Sequence, residues 1–376
     1  MADVFDGIVG QPQVRGFLRA CVAGGKVSHA YLFCGPAGSN KTQAAFAFAR
    51  AILCESDPCA ACEGCTSQAC RAIARRTHPD VHYLAPEGAQ GYVVDQIRDL
   101  MADASLAPVQ AARKVYIVDR ADLLGTSAAN AFLKTLEEPP ADVVLILLGR
   151  TRESVLPTIA SRCQVVPFRH IPASEAAAIL VQNTGCTLPE ASIAIEACGG
   201  SLSKAAEFLR SKERAQFRLK TVSALASLAR ADDLDVLDYA ADVVAAAKAP
   251  LDAVRREQEL AVEQQAEFLQ KSALKALETK NKRALSQASL ELLRQAVCVA
   301  RSWLRDAGMV CAGTSDLAVN VDCIEALRDC AARTDLARIC EALRRVSRAD
   351  AAISYNVSPQ VSIEAMLFEI REVLYA

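Results

Sequence analysis

The stretch Gly35-Pro36-Ala37-Gly38-Ser39-Asn40-Lys41-Thr42 decides how the first half of the chain is read. It follows the apolar run Ala30-Tyr31-Leu32-Phe33-Cys34 and leads into the alanine-rich segment Thr42 to Leu53, giving the order strand, glycine loop, helix. A phosphate loop of the form GxxxxGK[ST] works because glycines let backbone N–H groups close around phosphates. Its lysine reaches the terminal phosphates and its hydroxyl serves Mg²⁺. Gly35, Gly38, Lys41 and Thr42 fit this pattern, but Asn40 stands where the last glycine belongs. Asparagine tolerates positive φ better than most residues, so the loop can still form, with a side chain placed to crowd the phosphate. ATP with Mg²⁺ is therefore a candidate ligand, and fast hydrolysis is in question.

Outward from this loop, Lys114-Val115-Tyr116-Ile117-Val118-Asp119 and Val143-Val144-Leu145-Ile146-Leu147-Leu148 are further apolar runs. Their unbroken hydrophobicity is that of strands covered on both faces, and the alternation of such runs with helical segments from about 11 to 168 predicts a parallel α/β sheet. Asp119 ends its strand where a carboxylate can hold the Mg²⁺ water shell, with a plain helix-capping acid as the alternative. The next residue commonly orients and deprotonates the attacking water in ATPases of this layout. Here it is Arg120, which cannot accept a proton. Asp122 could substitute in part, although its side chain is expected to point elsewhere. Asn130 to Pro140 reads as an amphipathic helix stopped by prolines.

The chain has 376 residues, enough for two or three domains. Its 42 basic and 44 acidic residues nearly cancel, which excludes a generally basic nucleic-acid binder and leaves only local contacts with DNA. No apolar run approaches the roughly 18–20 residues of a membrane span. The start lacks a basic region followed by an apolar core, so a cytoplasmic protein without membrane partners is expected.

Of the 15 cysteines, most lie singly in helical patterns, and Cys198, Cys298, Cys323 and Cys340 are expected to pack as small hydrophobes. Cys54, Cys59, Cys62 and Cys65 differ: two successive CxxC steps and an upstream thiol can close a tetrahedron around a structural Zn²⁺, with Cys70 a fifth candidate. A redox pair or a chance cluster is the alternative. His78 and His82 are expected in loops or at the surface.

Three domains are expected. Residues 1–169 form the P-loop domain, with the metal module inserted at about 54–70. Residues 170–211 form a small helical lid broken at Cys198-Gly199-Gly200-Ser201, and 212–376 an all-α domain with long helices such as 251–277 and 285–303.

These motifs, taken in order, resemble the clamp-loader branch of the AAA+ ATPases across about 4–170. The resemblance is carried by Phe5-Asp6-Gly7-Ile8-Val9-Gly10-Gln11, Ser28-His29-Ala30-Tyr31, the cysteine knot, His78-Pro79-Asp80, the helix from Asn130 to Pro140, and Leu156-Pro157-Thr158-Ile159-Ala160-Ser161-Arg162-Cys163. It is weaker near Tyr355-Asn356-Val357-Ser358-Pro359-Gln360 and the apolar helix that follows. It implies an AAA+ P-loop domain, a lid, and a C-terminal collar that joins a hetero-oligomeric ring. It also implies neighbouring loader subunits of the gamma/tau and delta types, a sliding clamp and primer–template DNA as partners. Arg162 of the Ser-Arg-Cys tripeptide is similar to family arginines that reach into an adjacent subunit's ATP site, where a guanidinium stabilises charge on the γ-phosphate; an ordinary surface arginine is the alternative.

A hydrolysing member would carry glycine at 40, an acid at 120, a threonine-like sensor near 149 and an arginine sensor within 200–204. This chain has Asn40, Arg120, Gly149 and Ser203 there, with Lys204 as a substitute cation. The resemblance thus implies a subunit that completes a neighbour's site. An ATP-hydrolysing motor subunit is the second reading, and a P-loop protein outside the ring the third. Ending at Ala376, the chain is expected to lack the long extension of the polymerase-tethering motor form.

Overall fold

The computed structural model describes residues 4–54, 67–86, 91–266, 271–352 and 358–375. They form two compact units, Met1–Glu175 and Ala176–Ala376. The helices expected to make a separate lid fall in the second unit, and the boundary lies inside a helix.

The first unit is built on five parallel strands, β1 (Ala30–Cys34), β2 (Val81–Leu84), β3 (Lys114–Val118), β4 (Val143–Gly149) and β5 (Gln164–Pro167), in the order β2-β3-β4-β1-β5. The three inner strands are buried at every residue, as their apolar runs require. The edge strands β2 and β5 are only partly buried, and their mixed composition hid them from a search for continuous hydrophobicity.

Side chains alternate strictly between the two faces. Tyr31, Phe33, Val115 and Ile117 meet α1 (Pro12–Ala23) and α2 (Lys41–Leu53) on one side. α3 (Gln68–Ala74) adds Cys70 and Ile73 to the same core. Leu32, Tyr116 and Val118 meet α4 (Val94–Ala104), α5 (Thr126–Glu137) and α6 (Pro157–Ala160) on the other. Both cores are apolar, and at about 25 cal/mol per Å² their burial is the main force holding the sheet between its helices.

The lower ends of β2 and β3 carry a buried polar cluster. Asp80, fully buried, accepts the backbone N–H groups of Val109, Gln110 and Ala111 at 2.6–2.8 Å and so fixes the loop leading to β3. Burial works against its charge, but these donors outweigh it and hold its pKa below the ordinary 3.8. The folded state thus binds the proton less readily than the unfolded chain. The stability this confers is complete above the ordinary Asp range and disappears as pH falls through the lowered value. Urea midpoints measured between pH 6 and pH 3 should fall less steeply for Asp80→Asn, which starts lower, than for the wild type; parallel curves would show that Asp80 does not carry this dependence.

One expectation fails here. His78 lies in the loop before β2, as expected, but is buried there, its Nδ1 accepting the Asp80 N–H at 3.1 Å. His82 instead lies within β2, half-buried, stacked 4.9 Å from Tyr116 with Nε2 3.3 Å from Asp103, on an edge strand that the hydrophobic pattern did not mark.

The second unit is helical. α7 (Ala173–Thr184) enters it, followed by α8 (Leu188–Ala197), α9 (Leu202–Arg210), α10 (Lys212–Ser227), α11 (Asp233–Ala246), α12 (Lys248–Ala266), α13 (Lys271–Cys311), α14 (Ile324–Ala331), α15 (Leu336–Ala352) and α16 (Pro359–Tyr375). Caps set several starts: Thr187 with Glu190 and Asp232 with Asp235 form reciprocal capping boxes. α13 runs 41 residues, roughly 60 Å at 1.5 Å per residue, and its buried Trp303 and Leu304 belong to the core of the unit. α16 contributes Ile363, Met366, Leu367, Ile370 and Leu374. Among the single cysteines, Cys340 is exposed, contrary to expectation, whereas Cys198, Cys298 and Cys323 are partly buried. Among the described residues no helix is long and apolar enough to cross a membrane.

Candidate functional site

The parallel sheet brings three strand ends to one edge. β1 ends at Cys34 beside Gly149 of β4, and the phosphate loop leaves from there, while Asp119 follows β3 one strand further out. Gly35 donates its N–H to the Gly149 carbonyl at 3.2 Å and lies so close to Phe168 that a Cβ would sit 2.7 Å from it. Gly38 takes φ +80° and Asn40 φ +65°, so asparagine does adopt the left-handed conformation that glycine would supply at the start of α2. The Asn40 side chain turns to the opening segment, where its Nδ2 donates to the Val9 carbonyl at 3.2 Å.

Gln11 is the residue whose importance the sequence concealed. Almost fully buried, it donates Nε2 to the carbonyls of Ser39 and Arg169 and accepts the Arg169 N–H at 3.0 Å. One amide thereby ties the phosphate loop to the segment leaving β5, and its only sequence signal was its place in the Phe5–Gln11 motif. Lys41 Nζ donates to the carbonyls of Gly35 and Pro36 at 2.6 and 2.7 Å, folded over its own loop. Burial lowers its pKa, opposed by the charges of Asp119 and Asp122. Asp122 thus lies within electrostatic reach of the loop.

Asp119 is held at four points. Its carboxylate accepts the Tyr83 hydroxyl at 2.7 Å and the Arg120 N–H at 3.0 Å; its backbone N–H donates to Leu84, and its carbonyl accepts the Tyr92 hydroxyl. Arg120 has φ +49°. Gly149 offers no side chain at the sensor position, and an added Cβ would meet Val155 at 3.0 Å. In the second unit, Lys204 Nζ lies 2.9 Å from Glu291.

Arg162 follows α6. Its Nη1 donates to the Thr158 carbonyl at 2.8 Å and its Nη2 to Glu137, the last residue of α5, at 2.5 Å; about a third of the side chain stays exposed. Next to it, burial pushes the Cys163 thiol up to about 12, which makes it a packing group rather than a nucleophile.

Cys59, Cys62 and Cys65 lie outside the described residues. Cys54, at the C-terminal end of α2, and Cys70, in α3, are both buried. Among the described residues no three potential ligands are grouped around one point.

A glycine loop after the first strand, an acid after the third, and the order β2-β3-β4-β1-β5 make the first unit an α/β P-loop domain, as the resemblance to AAA+ ATPases implies. Residues 10–172 match the family described as DNA polymerase III, delta subunit. The chain is 36% identical over 206 residues to DNA polymerase III subunit gamma/tau of Mycobacterium tuberculosis, covering 52% of this chain and 35% of that protein. To subunit delta' of Bacillus subtilis it is 31% identical over 212 residues, 56% of this chain and 63% of that one. To delta' of Pseudomonas aeruginosa it is 43% identical over 138 residues, 36% and 42% of the two chains. The matches thus span between about a third and two thirds of these relatives' lengths. The first half of the chain is thus similar to DNA polymerase III subunits of the delta-prime and gamma/tau types.

Proposed function

We propose that this chain is a delta-prime-type subunit: a largely non-hydrolysing member of the loader ring that supplies Arg162 to the ATP of a neighbouring subunit. The observation that carries the reading is the contrast within the first unit. The position of the catalytic acid holds Arg120, an obligate cation, whereas Arg162 stands part-exposed at the end of α6 on two acceptors from different elements. Release of Arg162 from Glu137 costs little, since an exposed ion pair is worth at most about 1 kcal/mol. A guanidinium placed against γ-phosphate oxygens stabilises the charge that spreads there as the bond breaks.

The role of the chain is then positioning and charge stabilisation in trans, with the second unit as the collar. Its partners are gamma/tau- and delta-type subunits, and through the assembly a sliding clamp and primer–template DNA held by phosphate contacts. The retained Lys41, Thr42 and left-handed Asn40 favour a second reading, an ATP-hydrolysing motor subunit, in which Asp122 handles the water. Turnover of the reconstituted loader with Arg162→Ala and Lys41→Ala separates the two.

The proposal includes a structural Zn²⁺ held by Cys54, Cys59, Cys62 and Cys65, with Cys70 as the alternate ligand. The support is the ligand spacing; a four-thiolate shell leaves no open position, so the metal would brace the segment between α2 and α3. Metal analysis of the purified chain should find about one Zn²⁺ per molecule, and Cys62→Ser should lose it and lower the thermal midpoint. A metal-free wild type of normal stability would remove zinc from this account.

A further inference from the structure

Both oxygens of the Asp119 carboxylate are already engaged, by Tyr83 on Oδ2 and by the Arg120 N–H on Oδ1. The first partner is the unexpected one. Tyr83 stands on β2, one strand beyond Asp119, in register with Ile117, and its ring is held independently of the hydrogen bond it makes. It lies 5.8 Å from the Phe46 ring of α2, and the guanidinium of Arg76 sits 4.8 Å over Phe46 and 5.9 Å from Tyr83. Arg76 just follows α3 and takes φ +60°. A stack of Arg76, Phe46 and Tyr83 therefore delivers a phenol hydroxyl to the acid.

An ionised carboxylate only accepts, and each donor it takes lowers the charge density and lone-pair capacity left for a cation. Mg²⁺ demands near-octahedral oxygen ligands and dehydrates reluctantly, so it gains less from an acid whose two oxygens already accept from a hydroxyl and a backbone N–H. We propose that Tyr83 guards Asp119: its hydroxyl withholds the acid from a divalent cation, so that nucleotide binding by this chain is nearly independent of Mg²⁺. The inference rests on nucleotide binding at Gly35–Thr42 and not on the action of Arg162 in trans, which loader turnover tests separately.

Calorimetric titration of the full chain with a non-hydrolysable ATP analogue, in Mg²⁺ and in EDTA, tests it. The wild type should bind with similar affinity in both. Tyr83→Phe keeps the ring and its packing, so its thermal midpoint serves as the folding control. This variant should bind roughly tenfold or more tighter in Mg²⁺ and unchanged in EDTA, the size expected for freeing a charged acceptor from one hydrogen bond. Adding Asp119→Asn should abolish that gain. A strong Mg²⁺ dependence in the wild type, no gain in Tyr83→Phe, a gain that survives Asp119→Asn, or no nucleotide binding by either protein would each overturn the proposal.

Discussion

Arg162→Ala should cut clamp- and primed-DNA-stimulated ATP turnover of the reconstituted loader by about 10³-fold at the neighbouring site, the low end of what loss of an arginine finger does. The expectation follows from charge. Once the γ-phosphoryl group begins to leave, negative charge spreads over its oxygens, and a planar cation with several fixed donors meets it without reorganisation. The geometry suits the task because the Thr158 carbonyl and the Glu137 carboxylate hold the guanidinium from one side while part of the side chain remains at the surface. Lys41→Ala, whose Nζ now serves its own loop carbonyls, should change turnover little. Both variants must first be shown to assemble, by co-elution with the other subunits. A comparable loss in Lys41→Ala would mean that the Asn40 loop still turns over ATP, and the motor reading would replace the one proposed.

Asp306→Ala should unfold the second unit at much lower denaturant. Asp306 is fully buried on α13 and accepts the backbone N–H groups of Val319 and Asn320 and the Asn320 amide at 2.7–2.8 Å, with Arg305 on its other oxygen. Asn320 passes the network on to Arg218 of α10, which is buried and bidentate to Asp322 at 2.6 and 2.9 Å. Removing the central carboxylate leaves several buried donors without an acceptor, the situation that costs most in a protein interior. A loss of about 3–5 kcal/mol is expected, as for breaking a buried ion pair. For a unit of this size it corresponds to a fall of roughly 6–20 °C in its thermal midpoint. Asp306→Asn, which keeps one acceptor oxygen, should fall between. A shift of under about 1 kcal/mol for Asp306→Ala, typical of surface substitutions, would show that water satisfies these donors.

The α/β core was legible because burial on both faces leaves its mark one residue at a time. Ala30–Cys34, Lys114–Val118 and Val143–Leu148 could be read as inner strands from composition alone. The edge strands could not, because one side of each meets solvent and its residues are mixed. The left-handed turn at position 40 was likewise legible, since it depends on which residues tolerate positive φ. Where the Asn40 side chain went was not, because Val9 lies 31 positions away.

The same division holds for the site. Local chemistry picked out Lys41 and Asp119 as candidates and Arg120 as a group that cannot accept a proton, while Arg162 was singled out by the resemblance to clamp-loader ATPases. The partners that set what these groups can do were chosen by the fold. Tyr83 reaches Asp119 from 36 residues away, Glu137 reaches Arg162 from 25, and Gln11 reaches Arg169 from 158. A residue's backbone preference, hydrophobicity and proton chemistry travel with the residue and its neighbours in the chain. Hydrogen-bond partnership depends on separations of about 3 Å, and only packing of the sheet against its helices brings distant positions that close.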